Sequence, residues 1–105
     1  MQDVLYVAAD GLQVTLYIRT WRDHIQQRHP EVTLSDIERA LTNPVRICDH
    51  RQYPDQQIYE GHPGTTIQRR GIFPVVIVER LNDRAGVVVT ARVSRRAYRG
   101  VQRWP

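Results

Sequence analysis

The chain has 105 residues, a single cysteine and a formal net charge of +4. That length makes one domain, residues 1–105, with a hydrophobic core of ordinary size. The lone Cys48 excludes an intrachain disulfide and suits a reducing cytoplasm. No apolar run reaches the 18 residues of a membrane span and no signal-peptide core is visible, so a cytoplasmic protein without a membrane anchor is expected.

All 15 basic residues are arginine. Guanidinium groups bind phosphate and carboxylate in two-pronged fashion, which suits an anionic partner, although a GC-rich genome gives the same bias. Residues 1–68 carry 6 arginines against 9 acids, net −3, and residues 69–105 carry 9 against 2, net +7. A basic half without a basic amphipathic helix points to nucleic acid rather than a membrane. The alternative is a solvated basic face.

In chain order, residues 4–9 and 12–19 flank Asp10-Gly11, a pair that predicts a hairpin with a type I′ turn. Leu12, Val14, Leu16 and Ile18 alternate with polar residues and mark the core side of the second strand. Thr20, with Asp23 three residues on, predicts the cap of a helix that ends near Pro30. This helix carries the stretch WRDHIQQRHPE, residues 21–31. At α-helical spacing Trp21, Ile25 and His29 share one stripe, and His24 and Arg28 share its neighbour, so the two histidines diverge. Thr33 or Ser35 caps a second helix ending at residues 42–44, whose Leu34, Ile37, Ala40 and Leu41 form an inward face.

Beyond Pro44 the pattern turns to strands, over residues 45–48, 56–60, 72–79 and 86–94, with a turn at 61–64. Pro74 stands near the start of its strand, where a missing donor is tolerated. In the last strand Val87, Val89, Ala91 and Val93 are expected to face the core, and Val88, Thr90, Arg92 and Ser94 the other side. The tail, residues 95–105, is expected to be a helical turn or a basic arm. The whole reads as α+β: an N-terminal β-hairpin, two helices, then a four- to five-stranded antiparallel sheet with the helices packed on one face.

The candidate site residues follow from this layout. His24, at the edge of the buried stripe, is placed to exchange protons, against a merely structural role; His29, near the helix end, has the ordinary task of bonding terminal carbonyls. Thr90, Arg92, Arg95 and Arg96 gather hydroxyls and guanidinium groups near the end of the last strand, where a phosphate could be held. Tyr59 could stack a base, or serve as an ordinary sheet residue. Arg28, Arg51, Arg69, Arg70, Arg96 and Arg99 are the candidates for backbone contact with nucleic acid. No metal site or cofactor is expected: the histidine spacing does not suit zinc, Cys48 lies in an apolar strand, and the P-loop, dinucleotide and nucleophile-elbow motifs are missing.

HI-x-x-RHPE (His24, Ile25, Arg28, His29, Pro30, Glu31) carries a resemblance. With it go the helix from Asp36 to Pro44, a tyrosine-bearing strand, the VVIV strand and the closing VVVTA strand. Over residues 15–100 the chain resembles the phage-type nucleases of the barnase–EndoU–colicin–RelE superfamily. The resemblance implies a small α+β ribonuclease or toxin domain, cytosolic or phage-encoded, that cleaves RNA without metal by attack of the 2′-hydroxyl. It places His24 as general base or acid, counts His29 on the same helix among the matching positions, and sets Arg92 or Arg95 at the transition-state charge. Thr90 and Tyr59 would orient the phosphate and a neighbouring base. The implied partners are RNA and, for a toxin, an acidic antitoxin or immunity protein. The alternative is a non-catalytic RNA- or protein-binding module using the same arginine-rich face.

Overall fold

The computed structural model describes residues 1–105. Strands β1 (Val4–Val7) and β2 (Gln13–Leu16) form the expected hairpin. Its turn differs from expectation: only Gly11 has a positive φ, and Gly11 N–H donates to Ala8 O at 2.9 Å while Ala8 N–H donates to Leu12 O at 2.9 Å. Asp10 keeps a negative φ, so the loop is the three-residue kind closed by a left-handed glycine rather than type I′.

Helix α1 spans residues 18–28 and is built of Ile18–Thr20, Trp21–Ile25 and Gln26–Arg28, the middle segment wound as a single π turn. It starts two residues before Thr20, which makes no capping bond. Asp3 replaces it, accepting from Ile18 N–H at 2.8 Å, and Asp23 turns to Arg22 instead. A carboxylate brought across the hairpin thus fills the place that local sequence assigned to Thr20. Helix α2 (Leu34–Thr42) begins where Thr33 predicts, with a complete capping box: Thr33 Oγ1 accepts from Asp36 N–H and Asp36 accepts from Thr33 N–H.

Strands β3 (Arg46–Asp49), β4 (Gln56–Glu60), β5 (Phe73–Arg80), β6 (Ala85–Ser94) and β7 (Gln102–Trp104) complete the sheet. Its order is β1-β2-β6-β5-β4-β3-β7, seven strands in one mixed sheet, larger than the four or five expected. The hairpin does not stand apart. β2 pairs parallel to β6 through Gln13–Ala85, Val14–Gly86 and Thr15–Val87, while every other pairing is antiparallel. The arginine-rich tail becomes β7, pairing with β3 instead of forming an arm or helical turn.

The core lies between the helices and one sheet face. Trp21 and Ile25 of α1 and Ile37, Ala40 and Leu41 of α2 pack there on Val14, Leu16, Ile47, Val76, Val88 and Ala91. In β6 the period of two breaks: Ile77 pairs with Thr90 but Val78 pairs with Val88, leaving Val89 as a bulge. Val88 is therefore buried and Val89 is 37 % exposed, the reverse of the expected assignment, whereas Ala91 and Thr90 fall on the sides expected of them. No helix is long and apolar enough to cross a membrane.

Candidate functional site

Three local features lie where His24 meets β6. The ladder between β2 and β6 stops at Thr15–Val87, and beyond it α1 runs beside β6 in place of a strand. The bulge at Val89 turns Val88 to the core while Thr90 keeps the side its spacing predicts. The π turn then sets the phase of the helix, and His24 Nε2 comes to rest 3.0 Å from Thr90 Oγ1, across 66 residues of sequence. The pair is half-buried.

His29 joins them. Five residues apart on an α-helix, two side chains point in directions roughly 140° apart, from 3.6 residues per turn. A π turn winds more residues into each turn, and His29 itself has left helical geometry at φ −135°, ψ 61°. The two imidazole rings consequently lie with centroids 6.4 Å apart, edge to face, and the expectation that they diverge is corrected. Both are partly exposed, and His29 Nδ1 lies 3.9 Å from Glu31 Oε1.

The Thr90 hydroxyl can accept from Nε2–H or donate to a bare Nε2, so either tautomer of the His24 ring keeps this contact. Arg92 is two residues beyond Thr90 on the same side of β6 and is half-buried. Arg95 lies past the strand end and is exposed.

Tyr59 does not join this group. It is completely buried in the core, and its hydroxyl donates to the Asp10 carboxylate at 3.0 Å. Burial, with the Asp10 charge beside it, pushes that hydroxyl well above the ordinary phenol range. Its ring face is closed to a base, so the stacking role is corrected to a core role.

Among the candidate contact arginines, Arg28, Arg51, Arg70, Arg96 and Arg99 are exposed. Arg69 is not free: Nη1 donates to the buried Asp36 at 2.8 Å and Nη2 to the carbonyl of Glu31. It serves as a tie between α2, the HPE turn and the loop before β5. The expectation of a nucleic-acid contact is replaced there by a structural ion pair.

Sequence reasoning also missed a polar cluster on the second sheet face. Glu60, 3 % exposed, accepts from Arg46 Nε at 2.6 Å and from the backbone of Tyr98 at 3.3 and 3.4 Å. Arg46 also donates to the carbonyl of Tyr98. Cys48 lies buried beside Glu60, and burial pushes its thiol up. His50 Nδ1 accepts from the amides of Gln52 and Tyr53, so it shapes a turn and leaves the thiol unactivated. The signal available in the sequence was Glu60 itself, an acid directly following the apolar pair Ile58-Tyr59. Against family models, curated proteins and solved structures, the chain finds no match.

Proposed function

We propose that the chain is a metal-independent endoribonuclease-like domain, of the kind met among toxin and phage-encoded nucleases, that cleaves RNA by attack of the 2′-hydroxyl. The observation that carries this reading is the half-buried His24–Thr90 contact with a second imidazole beside it. RNA transesterification needs one group to take the 2′-hydroxyl proton and one to return a proton to the departing 5′-oxygen. Imidazole does both near neutral pH.

In this reading His24, held by Thr90, takes the proton as the 2′-oxygen bonds to phosphorus. His29 supplies a proton as the bond from phosphorus to the 5′-oxygen breaks. The products are a 2′,3′-cyclic phosphate and a free 5′-hydroxyl. Arg92 meets the charge that builds on the phosphoryl oxygens, and the exposed Arg28, Arg70, Arg95, Arg96 and Arg99 engage neighbouring phosphates.

The test is cleavage of single-stranded and structured RNA by the purified chain in chelator. His24→Ala is expected to lower the rate by about 10²–10⁴-fold, the usual worth of a general acid or base. Equal rates for wild type and His24→Ala would overturn the assignment. A second reading, RNA binding without cleavage, is favoured by the exposure of those same arginines. It predicts steeply salt-dependent binding and intact RNA.

A further inference from the structure

Between α2 and the loop that joins β4 to β5 lies a cleft of about 360 Å³. Seven of its 11 lining residues carry polar or charged side chains, and Ile72, Pro63 and Pro74 supply apolar wall between them. Its walls carry Arg39, His62, Thr65, Thr66, Arg69 and the buried Asp36. The candidate histidine pair does not line it.

The loop is built to hold this shape. Gly64 N–H donates to Ile72 O at 2.9 Å, and Arg69 N–H to Thr66 O at 3.1 Å. A Cβ on Gly64 would come within 2.5 Å of Arg69 Cβ and 2.7 Å of its carbonyl oxygen, so only glycine lets the loop close. That closure delivers Arg69 to Asp36.

Charge and donor inventory then decide the ligand. Asp36 is 1 % exposed and its carboxylate is engaged by Arg69, by Thr33 N–H and, at 3.4 Å, by Arg39. One acid against two arginines leaves a net positive cleft before His62 is counted. Side-chain hydrogen bonds within the cleft are confined to Asp36, Arg39 and Arg69. The Thr65 and Thr66 hydroxyls and the His62 imidazole line the cleft on exposed residues without an intramolecular side-chain bond, and Arg39 is engaged through one nitrogen alone. Hydroxyls with a guanidinium and an imidazole around one cleft match the tetrahedral oxygens of phosphate.

We infer that this cleft is an oxyanion site that takes a phosphate group. The inference does not depend on whether His24 is catalytic. Arg39 supplies the charged contact, Thr65 and Thr66 the neutral donors, and the Asp36–Arg69 pair acts as the rigid floor.

The test is titration of the full-length, isotope-labelled chain with inorganic phosphate, read by amide and imidazole shifts against sodium chloride of equal ionic strength. Saturable shifts are expected at Arg39, His62, Thr65 and Thr66, with affinity reduced about tenfold in Arg39→Gln, the order expected for one charge-assisted contact. His62→Ala, at a second exposed position, should weaken binding without altering the spectrum elsewhere. A short RNA oligonucleotide, titrated with cleavage blocked by His24→Ala, separates the sources. Tighter binding than phosphate, sensitive to Arg39→Gln, marks the site as one for a polynucleotide phosphate. Affinity no better than phosphate marks it as one for small phosphate compounds. Shifts that fail to saturate, that spread over all the exposed arginines, or that are unchanged in Arg39→Gln would overturn the inference.

Discussion

At the scale of single residues, the proposed chemistry rests on the contact between His24 and Thr90. Thr90→Val preserves volume but removes the hydroxyl that orients the imidazole. It should lower RNA cleavage by about tenfold or more, the scale of effect that loss of orientation produces, with unchanged thermal unfolding. Thr90→Ser should restore most of the rate. Tyr59 supplies the contrast. Its hydroxyl is spent on Asp10, so Tyr59→Phe should cost stability of about 1 kcal/mol in denaturant titration while leaving cleavage unaltered. The sequence showed which residue types could do chemistry but not which were already engaged. Tyr59 and Arg69 both looked available, and both proved committed to carboxylates elsewhere in the fold.

Among the elements, α2 was legible because its signals are local. Thr33 and Asp36 form the capping box, and Ile37, Ala40 and Leu41 are buried as their spacing requires. The same Asp36 gives a pH prediction. Burial alone would raise its carboxyl, but the bonds from Arg69 and Thr33 win and hold it below the ordinary aspartate range. A depressed folded value adds stability that is fully present above the unfolded value of about 3.9 and is lost as pH falls through the folded one. Asp36→Asn should therefore lower stability by about 1–3 kcal/mol at neutral pH, with the gap to wild type closing under strong acid. A constant gap across that titration would show that the ion pair is not its origin. α1 and β6 were less legible for a different reason. A π turn and a β-bulge each insert a residue into a regular period, and nothing in the spacing of WRDHIQQRHPE or VVVTA announces the insertion. The π turn accompanies the approach of His29 to His24, and the bulge exchanges the expected sides of Val88 and Val89, so the part of the site hardest to read was its geometry.

At the scale of the whole molecule, α+β with helices on one sheet face was within reach of pattern reasoning, while the seven-stranded mixed sheet was not. The parallel pairing of β2 with β6 joins segments about 70 residues apart. β7 is hidden in an arginine-rich tail whose composition argues for a solvated arm. That tail closes the second sheet face, since the Tyr98 backbone satisfies both Glu60 and Arg46. A chain ending at Ser94 is expected to lose at least about 2 kcal/mol in urea unfolding, the order for a buried charged group left short of bonds. An unchanged midpoint would identify the tail as an arm after all.

The chemistry proposed at His24 is tested most directly by the ends of the RNA products. Fragments released by the wild-type chain in chelator are predicted to carry 2′,3′-cyclic phosphates and 5′-hydroxyls, and to disappear with His24→Ala. Intact RNA, or fragments ending in 3′-hydroxyls and 5′-phosphates, would contradict it.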